Sequence, residues 1–402
     1  MALEIVTGNH AAGHALGVAG EANRNARGAA CGIYPITPQT EIVERVAAFP
    51  FTKGRVVAVE SEHSAMAVTM GASLAGARAF TASSSNGLAY MVENIMVAGF
   101  YRLPVVMVAV NRTLGPPWNI WADQSDTLML RDFPWVQIYC ADNQEVADTV
   151  LLAFRLAEDH RILLPVMVMM DAFIVSHTQA ETDLPDQEQV DRYLPELDLP
   201  HRLRHSRPTT LGGLVWPGET TSLRLEIHEA MLRVPQVFEE ARSEFGEVFG
   251  RDPGGRMETY ATQDAETILV ASATIATTAR RVVEERRARG EKVGLVKVRM
   301  FRPFPEAELR SACSSARRLG VLDRDYAAGV GGVWWQDVRA AFQGHREDIL
   351  IQDYLTGIGG GDVTPERVEQ ILDDLTARDE AGPPVWADVD PVELTPEEGA
   401  LA

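Results

Sequence analysis

Short apolar runs alternate with helically spaced apolar positions along the chain as far as residue 170. Residues 27–34 are mostly small and apolar and end at Pro35, a strand leading into a turn; Pro38 and Thr40 then open a helix through Glu41, Val43, Val46 and Ala47. Residues 55–59, rich in β-branched side chains, predict a strand, residues 62–75 a helix of small residues, and residues 78–81 a short strand. A helical pattern over 88–97 precedes a buried strand over 103–110, and an amphipathic helix over 145–160 precedes a core strand over 163–170. This alternation predicts βαβ units and a parallel sheet covered on both faces. Chemistry in such a sheet sits where strands hand over to loops, here near residues 34–37, 59–62 and 110–113.

The pattern changes after residue 183, where Pro185, Pro195, Pro200, Pro208 and Pro217 punctuate polar sequence and predict a meandering connection up to residue 221. Residues 223–249 read as a charged helix, and Asp252-Pro253-Gly254-Gly255 is the clearest break in the chain. A second α/β unit follows, with strands over 267–270, 292–298 and 318–322 and helices over 277–289 and 306–312. The expected fold is therefore α/β, with two parallel-sheet domains over 1–255 and 256–377. Residues 378–402 hold Pro383, Pro384, Pro391 and Pro396 among Asp and Glu, an acidic tail expected to lie extended on a partner or to stay mobile.

A chain of 402 residues is long enough for two or three such cores. Its 37 Lys and Arg against 57 Asp and Glu give a net charge of −20, which disfavours nucleic acid. Cys31, Cys140 and Cys313 are too scattered for a disulfide framework or a zinc or iron–sulfur motif, so any cluster would belong to another chain. Cys31 reads as a small apolar filler. No apolar run approaches the roughly 20 residues of a membrane span. Near the N-terminus Glu4 comes early and no basic segment leads into an apolar run, so the expected location is cytoplasmic.

No GxSxG, GxxxxGK[ST] or HExxH occurs, which leaves hydrolase, P-loop and zincin chemistry without support. Gly357-Ile358-Gly359-Gly360-Gly361-Asp362 invites a dinucleotide-loop reading, but Asp362 replaces the third glycine and a tight structural loop is favoured. Glu60 and His63 stand three apart without a second such pair, so metal ligation is not expected there.

The specific signal is a series: Tyr34-Pro35-Ile36-Thr37-Pro38-Gln39-Thr40, Glu60-Ser61-Glu62-His63-Ser64-Ala65-Met66, Asn111-Arg112-Thr113, and Asn119-Ile120-Trp121-Ala122-Asp123-Gln124-Ser125-Asp126. It continues in Arg131-Asp132, Asn143-Gln144-Glu145, Leu164-Pro165-Val166-Met167-Val168, Asp171-Ala172-Phe173, Phe301-Arg302-Pro303-Phe304-Pro305 and Gly359-Gly360-Gly361-Asp362-Val363-Thr364. In this order the series resembles the α subunits of the pyruvate:ferredoxin oxidoreductase family, 2-oxoacid:acceptor oxidoreductases that use thiamine diphosphate. The resemblance covers most of the chain, from near Ile5 to near Leu375.

It implies a pyrimidine-binding-like domain followed by a domain like the C-terminal domain of transketolase. Thiamine diphosphate would lie at an interface with a β subunit that holds the diphosphate and Mg²⁺, since this chain has no Gly-Asp-Gly motif with a following Asn. The resemblance also implies γ and ferredoxin-like δ subunits carrying [4Fe-4S] clusters, coenzyme A as acyl acceptor, and ferredoxin or another electron acceptor. Glu62 matches the glutamate that hydrogen-bonds N1′ of the aminopyrimidine, with Glu60 as its neighbouring rival; the plainer alternative is a carboxylate facing a helix dipole. Arg112 and Thr37 match the residues that hold the substrate carboxylate, against a surface ion pair for the one and a capping hydroxyl for the other. Tyr34, Pro35 and Ile36 would flank the cofactor.

Trp118 and Phe133-Pro134 depart from the pyruvate-specific pattern. Aromatic residues after Arg112 either line a pocket for a bulkier acyl group or pack an interface. Trp118 and Asn119 are thus candidate pocket residues, and the expected substrate is a 2-oxo monocarboxylate. Pyruvate comes narrowly before phenylglyoxylate, the latter with NAD as a conceivable final acceptor. A non-catalytic scaffold that merely keeps the fold is the alternative of another class; it would tolerate Glu62→Ala.

Overall fold

The computed structural model describes residues 2–206 and 208–389. It opens with β1 (Ala2–Thr7) and α1 (Gly8–Glu21), a pair the residue pattern does not signal. The Thr7 hydroxyl caps α1 by accepting the His10 amide proton, and the helix is so rich in Ala and Gly that it packs on nearly every side. At Gly17 a Cβ would come within 2.3 Å of the Phe49 ring, so only glycine permits this approach.

The expected alternation follows: β2 (Ala29–Ile33), α2 (Thr40–Ala47), β3 (Gly54–Ala58), α3 (Glu62–Leu74) and β4 (Arg78–Ser83). Two helices, α4 (Ser85–Tyr90) and α5 (Val92–Phe100), stand where one was expected. Next come β5 (Val106–Asn111), α6 (Ser125–Leu128), β6 (Val136–Cys140), α7 (Asn143–Ala157) and β7 (Val166–Asp171). β8 (Gln179–Leu184) pairs antiparallel with β1, and α8 (Gln187–Tyr193) and α9 (Pro217–Phe249) complete the first part of the chain.

The second part contains β9 (Met257–Tyr260), β10 (Thr267–Ala271), α10 (Ala273–Ala288), β11 (Val293–Val298), β12 (Met300–Arg302) and α11 (Glu306–Ala312). It ends with β13 (Arg318–Asp323), α12 (Val333–Phe342), β14 (Leu350–Leu355), α13 (Pro365–Ala377) and β15 (Val385–Trp386).

One sheet has seven strands in the order β12-β6-β7-β5-β4-β2-β3, the other six in the order β15-β14-β13-β10-β11-β9. Within these two sheets, among the described residues, only β12 and β9 run antiparallel to their neighbours, as β1 and β8 do in their separate ribbon. The mixed α/β class with parallel sheets is as expected. β12, although it lies beyond Gly255, returns to the first sheet and pairs with β6. On β5, Val106, Val108 and Val110 face the core shared with α1 and α7. Met107 and Ala109 face a second core that also takes in Val296, Phe301, Leu319 and Trp334 from the second part. That shared apolar cluster, rather than a linker, holds the two sheets together.

The tail expectation needs correction over its described stretch. β15 pairs with β14, and the Asp388 carboxylate accepts hydrogen bonds from the Gly357 amide and the Thr356 hydroxyl. Residues 378–389 therefore dock on this chain, because paired backbone and a satisfied carboxylate outweigh the disorder that the composition suggests. Residues 390–402, with Pro391 and Pro396, lie outside the described residues.

Candidate active site

Strands β2, β3, β4, β5 and β7 run parallel, so their carboxyl-terminal loops open on one edge of the first sheet. Arg112 follows β5 and is only 8% exposed. Its Nη1 donates to the Thr37 carbonyl at 2.7 Å and its Nε to the Asn119 carbonyl at 3.3 Å. Among the described residues no carboxylate pairs with this guanidinium, so it is not a surface ion pair. Burial lowers its pKa from the ordinary guanidinium value, against a smaller upward pull from Asp126. A buried cation with hydrogen-bonding capacity to spare suits a carboxylate ligand.

Thr37 lies exposed on the loop between β2 and α2, and among the described residues its hydroxyl makes no hydrogen bond. It does not cap α2, whose cap position is Gln39 with no side-chain bond. The loop is held from beneath instead. Asn9 Nδ2 donates to the Pro38 carbonyl at 2.7 Å, and Gln39 Nε2 to the Tyr34 carbonyl at 2.8 Å. Tyr34 and Ile36 are half-buried and Pro35 exposed along the same loop.

Glu62 is the first residue of α3, whose cap is the Ser61 side chain, so the helix dipole favours its charge. It is 8% exposed, and among the described residues its carboxylate has no hydrogen-bond partner. The side chain lies against Gly87 at the start of α4, where a Cβ would come within 2.7 Å of Glu62 Cγ. Glu60, by contrast, is exposed and takes the Ser64 hydroxyl proton.

Asp126 and Ser85 support this edge, and motif reading assigned a role to neither. Asp126 is fully buried; its Oδ2 accepts the amide protons of Ser85 at 2.9 Å and Arg112 at 3.0 Å, and its Oδ1 that of Asn111 Nδ2 at 2.8 Å. Ser85 sits at φ +47°, which costs a non-glycine residue about 1–2 kcal/mol. Its hydroxyl donates to the Thr113 carbonyl, and Asn86 pairs with Gly115, so the loop after β4 is tied to the loop after β5. The signal open to sequence reading was the polar run Ser83-Ser84-Ser85-Asn86-Gly87 between a strand and a helix.

Burial pushes the Asp126 carboxyl up to about 7, above its unfolded value. The folded state then binds the extra proton, so this group's contribution to stability is greatest below about pH 4 and is lost as pH rises towards 7. Chemical denaturation of the native protein and of Asp126→Asn across pH 4–8 should show the native protein losing stability relative to the variant over that window. A pH-independent difference would contradict the assignment.

Of the aromatic departures, Phe133-Pro134 turns inward and Trp118 stays at the surface. Phe133 is half-buried against the second core, and Pro134 packs on Gly99 beside the fully buried Trp135. This pair packs against the interior, because its loop turns inward before β6. Trp118 is 71% exposed and covers Gly115. Asn119 directs its carboxamide at the second domain, with Nδ2 donating to the Gly359 carbonyl at 2.9 Å and Oδ1 accepting the Trp121 amide proton at 2.7 Å.

The glycine loop commits its backbone amides within the chain. Gly357 donates to Asp388, Gly359 to Asp123 Oδ2 at 3.3 Å, Gly360 to the Gly357 carbonyl and Gly361 to the Ile358 carbonyl. Cradling a phosphate would require such amides to be free. Cys31, Cys140 and Cys313 are buried, with their thiol pKa values raised. Among the described residues no group of three or more His, Cys, Asp and Glu could hold a metal ion, and no helix is long and apolar enough to cross a membrane.

Residues 21–243 match the family model described as "Pyruvate flavodoxin/ferredoxin oxidoreductase, thiamine diP-bdg". The chain belongs to this family. Residues 265–368 match a second model, "Pyruvate:ferredoxin oxidoreductase core domain II". Pyruvate synthase subunit PorA of Methanothermobacter thermautotrophicus is 41% identical over 375 residues, covering 92% of this chain and 95% of the relative. Ketoisovalerate oxidoreductase subunit VorA of Pyrococcus horikoshii is 39% identical over 384 residues, covering 94% and 95%. By family, the chain is a subunit of a thiamine diphosphate-dependent 2-oxoacid oxidoreductase.

Many solved structures share its fold, and two illustrate it. The 2-oxoglutarate:ferredoxin oxidoreductase from Magnetococcus marinus aligns with a TM-score of 0.71 at 20% identity, covering 93% of this chain and 65% of that one. A split-gene transketolase aligns at 0.54 and 13%, covering 92% and 98%. The fold is thus the one expected, a thiamine-site-like domain followed by a domain like the C-terminal domain of transketolase.

Proposed function

We propose that this chain is the α subunit of a complex that converts pyruvate and coenzyme A to acetyl-CoA and CO₂, passing two electrons to ferredoxin and releasing one proton. The observation that carries the reading is the buried Arg112 guanidinium, which among the described residues pairs with no carboxylate and donates to the carbonyl of Thr37, a residue whose hydroxyl makes no hydrogen bond among them. The loops over 34–39, 59–63, 83–87 and 111–121 contain one arginine and no lysine, which suits a monocarboxylate better than a dianion. Arg112 binds and orients the substrate carboxylate, and Thr37 supplies a second donor.

Thiamine diphosphate, when bound, supplies a carbon nucleophile and an electron sink. The buried Glu62 carboxylate, without a hydrogen-bond partner among the described residues, fits its aminopyrimidine, because it is free to take a donor while Gly87 leaves room for the side chain. In this reading Glu62 holds a proton at N1′, and Tyr34, Pro35 and Ile36 border the ring. The diphosphate and Mg²⁺ fall to a β subunit, and [4Fe-4S] clusters to further γ and δ subunits. That division agrees with the glycine loop's occupied amides and the three buried cysteines.

A branched substrate is the second reading, since relatives at 39% identity are named for ketoisovalerate. The inward packing of Phe133-Pro134 removes part of the case for an aryl group, and neither the PorA nor the VorA relatives are named for one. The assembled complex should give kcat/KM on pyruvate at least about tenfold above phenylglyoxylate and 2-oxoglutarate, the spread expected when pocket contacts decide. Highest kcat/KM on 2-oxoisovalerate would establish the second reading. Activity confined to the aromatic acid or the dianion would overturn both.

A further inference from the structure

We infer that Asn119 is a positioning residue through which the glycine loop of the second domain sets the orientation of Arg112. The inference rests on the proposed role of Arg112 as the carboxylate-binding cation. The Asn119 carbonyl receives Arg112 Nε, so the place of that carbonyl fixes one side of the guanidinium while the Thr37 carbonyl fixes another. A fork that recognises a carboxylate loses paired contacts when it tilts by some tens of degrees.

Few contacts hold the loop that carries the Asn119 carbonyl. Residues 115–119 include Pro116, Pro117 and the exposed Trp118 and do not enter either core. The loop closes on itself where the Thr113 amide and hydroxyl both donate to the Trp121 carbonyl. Asn86 anchors Gly115. Beyond these, Asn119 spans the loop and the second domain, with Oδ1 on the Trp121 amide and Nδ2 on the Gly359 carbonyl. The orientation of the carboxamide follows from its partners, since reversal would set an NH₂ against an N–H and an oxygen against a carbonyl.

On the other side the glycine loop is built for close approach. Gly359 stands at φ +64°, and its amide donates to the buried Asp123. A Cβ at Gly359 would lie 3.1 Å from Asn119 Nδ2, and one at Gly360 would lie 2.3 Å from Trp121 Cβ. The second domain therefore meets the 119–123 segment with bare backbone. Among the described residues, no hydrogen bond runs from the glycine loop to Arg112, whose side chain donates to the Asn119 and Thr37 carbonyls, so the loop acts on the guanidinium through Asn119.

The test is Asn119→Asp, which keeps size and the acceptor for Trp121 but sets an oxygen against the Gly359 carbonyl. In the assembled complex, kcat/KM for the 2-oxo acid should fall about tenfold, mainly through KM. Substrate-free hydrogen–deuterium exchange at C2 of bound thiamine diphosphate, a Glu62-dependent signal, should stay within twofold. Backbone amide exchange over 357–361, followed by mass spectrometry, should quicken in Asn119→Asp and not in Arg112→Gln. Introduced into Arg112→Gln, Asn119→Asp should cause no further loss of kcat/KM, as expected of residues acting through one contact.

Losses that add across the pair, unchanged kinetics, slowed C2 exchange or unchanged amide exchange would each overturn the inference while leaving the Arg112 assignment standing. If Arg112→Gln itself leaves kcat/KM unaltered, both fall. Should Asn119→Asp fail to assemble, Gly359→Ala presses on the same hydrogen bond from the other domain. It should reproduce the KM increase in the native background and add nothing in Arg112→Gln; any other pattern counts against the inference.

Discussion

Glu62→Gln is expected to leave the complex assembled and to lower its 2-oxo acid turnover by about 10²–10⁴-fold, the range for loss of one general acid–base group. Gln keeps the shape that packs on Gly87 and removes only the ability to carry the proton, so a folding defect is not the anticipated cause. The same variant should abolish substrate-free C2 exchange, a readout independent of Arg112 and of electron transfer. Turnover within twofold of the native complex would remove Glu62 from the mechanism. Glu60 would then return as the rival, although its exposed carboxylate already holds the Ser64 hydroxyl. A scaffold subunit predicts no change in either readout.

Arg324→Met is expected to weaken the seam between the domains by about 3–5 kcal/mol, the usual cost of stranding a buried charge. Arg324 Nη1 lies 3.1 Å from Asp171 Oδ2, with the two side chains 3% and 0% exposed. The same Asp171 oxygen accepts the amide and hydroxyl protons of Thr274, so the end of β7, the start of α10 and the end of β13 meet at one carboxylate. Among the described residues Asp171 Oδ1 and Arg324 Nε have no hydrogen-bond partner, which leaves little to compensate for the lost cation. The thermal midpoint should fall by roughly 10 °C. Adding Asp171→Asn should restore most of that loss, because the stranded charge goes with it; a double variant as unstable as the single one would place the cost in packing instead.

Much of the first sheet was legible because its strands and helices bury regular faces. β5 reads as a continuous apolar run since both of its faces are covered, and α7, although buried nearly all round, reads as a helix because Gln144, Glu145, Asp148 and Arg155 interrupt its apolar residues. α1 was not legible because it is built mostly of Ala and Gly, which leaves little of the apolar–polar contrast that periodicity measures. β1 escaped notice because Leu3 and Ile5 are exposed on a two-stranded ribbon. The acidic stretch after Arg378 misled because its composition suits a mobile tail, while two backbone pairings and Asp388 hold its described part in place.

The candidate site divides in the same way. The residue order alone placed Thr37, Glu62 and Arg112 at the ends of parallel strands, because a strand followed by a polar turn and a helix start is a local pattern. From three scattered cysteines and the lack of a diphosphate motif it also led to the expectation that clusters and phosphate binding belong to other chains. The tertiary structure alone decided that Phe133 and Pro134 turn into the core, that Asp126 braces three donors, and that the glycine loop spends its amides on Asp388 and Asp123. It alone brought Asn119 to Gly359 across 240 residues of chain. Local spacing records which side of an element is buried; contacts between loops so far apart leave no period in the sequence, and only the packing of the two sheets creates them.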